Sequence, residues 1–151
     1  MRVIVLGAGT NHRLDGADHQ DILPLNGINK LFDLNLTKWP IVSDTYDVIV
    51  ARHVVEHLDS LINFMNEAHR ILKPDGKIYI ETPNAGVNPD LEYCDPTHKR
   101  LYRPHTFYNY FTEYGIDQFH YTTLAWAVIN IRTVKYELSN DCIIAELTPI
   151  K

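Results

Sequence analysis

Three short apolar runs and one amphipathic stretch organise the chain. Arg2-Val-Ile-Val-Leu6 is continuously apolar, rich in β-branched residues, and stops at Gly7-Ala8-Gly9. Such a run predicts a strand buried on both faces, as in a parallel sheet. Tyr46–Ala51 and Lys77–Glu81 predict two more strands. Between them Leu61, Phe64, Met65, Ala68, Ile71 and Leu72 fall on one helical stripe, with Asn63, Asn66, Glu67 and Arg70 on the other face. Asp59 or Ser60 can cap the first turn, and Lys73-Pro74-Asp75-Gly76 ends the helix. Strand, helix and strand from 46 to 81 form a βαβ unit, which implies parallel strands and a right-handed crossover.

Around this unit the pattern is weaker. Thr10–Gly27 is polar without a helical period, and the short strands predicted early in the chain are Ala17–Ile22 and Ile28–Leu34. Lys38–Asp44 is a loop. Thr82–Arg103 is a long polar segment with Pro83, Pro89 and Pro96, and loops beyond about 12–15 residues are usually functional or disordered. Pro104–Tyr114 predicts a helix stopped by Gly115. A hairpin closes the chain: a strand up to Leu138, a turn at Ser139-Asn140-Asp141, and a strand over Cys142–Leu147. The fold class is α/β, a Rossmann-like mixed sheet, mostly parallel with a C-terminal antiparallel hairpin. Only 11 residues separate Leu6 from Asp18, and fewer separate Ile22 from Ile28. A parallel crossover that includes its helix needs at least about 10–12. The early crossover helices are therefore expected to be shortened or missing.

Composition narrows the class. The chain has 151 residues, 45% hydrophobic and 22% charged, which suits one folded domain over 1–151. A formal charge of −5 argues against attachment to nucleic acid or membrane through bulk charge. Cys94 and Cys142 form no CxxC pair, so neither a disulfide scaffold nor a zinc knuckle is expected. Reduced thiols and a cytoplasmic location are. The first apolar run is too short for a signal peptide, and no stretch approaches the roughly 20 apolar residues of a membrane span.

The candidate chemistry lies at strand ends. Gly7 and Gly9 follow a buried strand, where glycines let a ligand approach the backbone. No GKS or GKT follows, so this is not a P-loop. Asp21 and Asp33 end the second and third predicted strands, where a carboxylate can accept both hydroxyls of a ribose. Arg52-His53-Val-Val-Glu56-His57 follows the next strand. Its letters also spell the H-x-x-E-H motif of some zinc proteases. A strand end is the wrong setting for a motif that needs both histidines on one long helix, so no metal is expected there.

These residues together resemble class I S-adenosylmethionine-dependent methyltransferases. The resemblance rests on VLGAGT, the acid Asp21, FDLN, SDTYDVIVARHVVEHL and NEAHRILKPDGKIYIETPN, and covers residues 2 to 115. It implies S-adenosyl-L-methionine as cofactor, with Gly7 and Gly9 under its methionine part. Asp21 would hold the ribose and Asp33 would lie near the adenine amino group. Arg52 and His53 would line the methionine and sulfonium end, while Glu56 and His57 brace the strand-to-helix turn. Val5 and Asn11 stand where the family often has an acid and a third glycine. The chain is also similar to small members whose later loop carries D-x-x-H-x-R, here Asp95-Pro-Thr-His98-Lys-Arg100. His98 and Asp95 are the catalytic candidates for a hydroxyl acceptor, as base and orienting acid. The acceptor expected is a small molecule or sugar, with no nucleic acid and no membrane as partner.

Nine of the 16 aromatic residues fall between Tyr102 and Trp126. They suit core packing, a substrate wall or a subunit contact, and the shortened crossovers suggest a homodimer. Two other functions fit some of the residues: a non-catalytic nucleoside-binding module, and a zinc hydrolase through the H-x-x-E-H letters.

Overall fold

A computed structural model describes residues 1–87, 94–136 and 141–151. Seven strands run in the order β3-β2-β1-β4-β5-β7-β6. They are β1 (Val3–Leu6), β2 (Asp18–Asp21), β3 (Lys30–Leu31), β4 (Tyr46–Arg52), β5 (Leu72–Pro83), β6 (Trp126–Val134) and β7 (Cys142–Pro149). The first five pair in parallel, and β7 is antiparallel to both β5 and β6. Among the described residues three helices join them: α1 (Leu61–Ile71), α2 (Pro104–Phe111) and α3 (Glu113–Phe119), with a 3-10 turn at Val55–His57. None of these helices is long and apolar enough to cross a membrane.

The βαβ unit forms as its periodicity dictates. Ser60 caps α1 by accepting a hydrogen bond from Asn63 N at 3.1 Å. Phe64, Met65, Ala68 and Ile71 are fully buried. They join Ile49, Ala51, Ile78 and Ile80 from the sheet, and Phe107 and Phe111 from α2, in one core. Alternate residues of β4, β5 and β7, Val48, Val50, Tyr79 and Ile144, are half-buried on the opposite face.

As expected from their lengths, the connections from β1 to β2 and from β2 to β3 contain no helix. Other boundaries differ from the sequence reading. Only Lys30–Leu31 of the predicted strand 28–34 pairs, because the Asp33 side chain accepts a hydrogen bond from Asn35 N at 2.8 Å and turns the chain. The predicted helix 104–114 is two helices broken at Thr112. Gly115 lies within α3 and does not stop α2. A Cβ there would meet Asn109 O at 1.9 Å, so glycine allows close approach to the end of α2. The left-handed residue that ends α3 is His120, at φ 56°. The hairpin is present, with β6 ending at Val134; Ser139 and Asn140 of its predicted turn lie outside the described residues.

Candidate functional site

The carboxyl ends of β1, β2 and β4 face one cleft of about 310 Å³, whose walls include Gly7, Gln20, Asp21, Asp33, Asn35 and His57. The glycine loop on its floor is held by side chains of β2. Gly7 N donates to Gln20 Oε1 at 2.9 Å, and Gly9 N donates to Asp21 Oδ2 at 2.9 Å. Gly7 and Gly9 adopt φ of 61° and 52°, a region costly for residues with a Cβ. At Gly7 a Cβ would also meet Val54 Cγ2 at 2.5 Å. Asp21 Oδ1 accepts from Leu23 N at 2.9 Å, so Asp21 shapes its loop and still has lone pairs to offer a ligand hydroxyl.

Gly7, Asp21 and Asp33 therefore come together as the sequence suggested, with Gly9 bonded to the same acid. Arg52 and His53 do not line this cleft. Arg52 Nε donates to Glu81 Oε2 at 2.8 Å. Despite the burial that opposes ionisation, the Tyr136 hydroxyl and Arg52 hold Glu81 below the ordinary glutamate range.

His53 lines a second cavity of about 230 Å³, together with Glu56, His57, Asp95, His98 and Cys142. His53 has φ 51° and lies 3.5 Å from both Glu56 Oε1 and Glu81 Oε1. Its pKa is pushed up to about 10 by a hydrogen bond with Cys142 and by Glu56. His98 and Asp95, the predicted catalytic pair, are 3.7 Å apart from Nε2 to Oδ2. Thr97 holds the other Asp95 oxygen through its hydroxyl, at 2.6 Å, and its amide, at 2.8 Å. These bonds put Asp95 below the usual carboxylate range.

The two cavities share His57 as a wall. The His57 and His98 rings meet edge to face with centroids 4.9 Å apart. What brings them together is backbone bonding: the Glu56 carbonyl accepts from Lys99 N at 2.8 Å and from Arg100 N at 3.2 Å. Two groups among the described residues place metal-capable atoms within 4.8 Å of one another: Glu56, His57 and His98, and His53, Glu81 and Cys142. Sequence reasoning left out Gln20 and Asn35. The signal for Gln20 was its place beside Asp21 at the end of a strand that faces the glycines.

A model of the methyltransferase domain matches residues 6–120. A 50-residue stretch is 38% identical to a probable S-adenosylmethionine-dependent methyltransferase of Mycolicibacterium smegmatis, and covers 33% of this chain and 20% of that protein. A 41-residue stretch is 44% identical to the mitochondrial ubiquinone biosynthesis O-methyltransferase of Bos taurus, with 27% and 11% covered. The matches thus span a fifth or less of these relatives' own length. The solved structure of the YcgJ protein from Bacillus subtilis superposes with a TM-score of 0.68 over 99% of this chain and 92% of that one, at 15% identity, which speaks for the fold. With the domain model spanning most of the sequence and the fold agreeing along its length, the chain belongs to the class I S-adenosylmethionine-dependent methyltransferase family.

Proposed function

We propose that this protein transfers the methyl group of S-adenosyl-L-methionine to a hydroxyl of a small molecule or sugar. The observation that carries the reading is the pairing of two cavities across His57. One holds the glycine loop and the acids Asp21 and Asp33, and the other holds His98 and Asp95. In this reading Asp21 accepts the ribose hydroxyls and Asp33 faces the adenine. His53 and Arg52 lie beside the sulfonium end without walling the cleft. The acceptor oxygen attacks the methyl carbon in line as the carbon–sulfur bond breaks. The bonding pair stays on sulfur, which leaves as the neutral thioether, and the hydroxyl proton passes to His98. Asp95 orients the ring and favours the imidazolium as it forms. The protein's main contribution is to hold the two reactants in line.

Calorimetry with S-adenosylhomocysteine tests the first half. Asp21→Ala should bind it at least about tenfold more weakly, because a charge-assisted hydrogen bond is worth roughly 1.5–3 kcal/mol. No binding by the native protein at millimolar ligand would refute the reading. On an acceptor identified from a hydroxyl panel, His98→Ala should lower turnover and leave cofactor affinity unchanged.

The incompletely buried sheet face with Val48, Val50, Tyr79 and Ile144 supports a second copy as partner. Lys77 and Glu146, an ion pair on the same strands at 3.3 Å, offer charges of both signs, which suits a self-complementary two-fold contact. Light scattering should give twice the mass of one chain, 17.5 kDa. The cytoplasm is the proposed location, supported by the low cysteine count.

A further inference from the structure

We propose that Glu56, His57 and His98 form a binding site for one divalent transition-metal ion of the zinc class. The starting point is an unsatisfied atom. Glu56 is 2% exposed, and its Oε1 has no hydrogen-bond partner. A buried carboxylate oxygen left without a donor is costly. Its other oxygen is satisfied, since the Thr82 hydroxyl donates to Oε2 at 3.0 Å. His53 Nδ1, the ion-pair partner of Oε1, lies 3.5 Å away. Glu56 also lines the second cavity, beside His57 and His98.

Two imidazoles join it there. The ligand atoms of Glu56, His57 and His98 all lie within 4.8 Å of one another. Around a tetrahedral ion with bonds of about 2.0–2.1 Å, ligand atoms sit roughly 3.3–3.4 Å apart. Each imidazole also has an outer contact of the kind that orients a metal-bound histidine. His57 Nδ1 is 3.0 Å from the Thr97 hydroxyl and 3.3 Å from Thr97 O. His98 Nε2 faces Asp95 Oδ2 at 3.7 Å. The loop carrying His98 is anchored to the same residue that offers the carboxylate, because Lys99 N and Arg100 N both donate to Glu56 O.

Two nitrogens and one carboxylate favour zinc, cobalt or nickel over magnesium or calcium, which take all-oxygen shells. Three protein ligands leave a fourth position open, the arrangement of catalytic sites. This set differs from the helical H-x-x-E-H motif: Glu56 is a ligand here, and His53 is replaced by His98 from the distant loop. The proposal reverses the sequence-based expectation of a metal-free segment. The site's use in holding an acceptor oxygen beside the methyl donor rests on the proposed function and would replace proton uptake by His98, whose lone pair the ion takes; metal binding itself does not rest on that reading.

The test is binding of Zn2+ and Co2+ by chelator-stripped protein, with no acceptor or cofactor present. One equivalent should bind. His98→Ala and Glu56→Gln, checked for native circular dichroism, should each bind at least about tenfold more weakly. The Co2+ form should lack a thiolate-to-metal charge-transfer band, and Cys142→Ser should bind as the native protein does. Less than a tenth of an equivalent bound by the native protein would overturn the assignment. So would unchanged affinity in His98→Ala, or binding lost in Cys142→Ser, which would move the ion to His53, Glu81 and Cys142. S-adenosylhomocysteine calorimetry on the same samples keeps cofactor binding and metal binding apart, since failure of either leaves the other standing.

Discussion

The first 35 residues and the unit from 46 to 83 build adjacent halves of one sheet by different means. In the β4–α1–β5 unit a helix crosses between parallel strands and buries Phe64, Met65 and Ile71 completely. Packing does the holding, as in most proteins of this class. The β1–β2–β3 half has no crossover helix. Its strands are tied by side chains that reach backbone groups: Gln20 to Gly7, Asp21 to Gly9, and Asn29 Oδ1 accepting from His19 N at 2.8 Å. The β1–β2 side of the cleft is therefore held by directional polar bonds, and the β4–α1–β5 unit by a packed core. Directional bonds fix a ligand loop with few residues, but each contributes little net stability.

If that contrast is right, truncation should cost most in the packed half. Phe64→Ala should lower unfolding free energy by about 3–5 kcal/mol in urea titration; a cost below about 1 kcal/mol would erase the distinction. Gln20→Ala comes next. Gln20 is 1% exposed, and its loss strips the Gly7 amide of its partner, for a cost of about 2 kcal/mol. It should also weaken S-adenosylhomocysteine binding, which Phe64→Ala in a still-folded sample should not. Asn29→Ala, on the surface, should cost about 1 kcal/mol or less.

The smallest effect is in acid. Desolvation would raise Asp18, but the Tyr46 hydroxyl, at 2.7 Å, and the Arg2 guanidinium hold it below the ordinary aspartate value. A carboxylate lowered by folding contributes stability above its unfolded pKa of about 3.9, and loses it as pH falls through the lowered value. Asp18→Asn should therefore flatten the stability curve below about pH 4 and leave its shape near neutrality unchanged. A steepened acid limb would show that Asp18 is not held by its partners.

The packed half was legible because packing leaves a period in the sequence. Leu61, Phe64, Met65 and Ala68 announce α1 and its buried face, and even the absence of early helices followed from chain length. The polar half left no such trace. Asp33 reads equally as a strand end or a turn, and its bond to Asn35 N settles it as a turn. Gly115 reads as a helix stop until the approach of Asn109 O explains it. Gly7 and Asp21 in the cleft could be read because they lie at the ends of β1 and β2. The meeting of His57 with His98 could not, since it depends on two amides donating to one carbonyl more than 40 residues away.

The His57 wall makes the two cavities one thermodynamic system. Any shift of that ring on filling one side changes the free energy of filling the other. The resulting coupling is reciprocal: the factor by which a ligand in one cavity changes the affinity of the other equals the factor measured in the opposite direction. Titrating either ligand in the presence of the other thus yields the same coupling free energy, and its sign tells whether occupants of the two cavities enter as allies or as competitors.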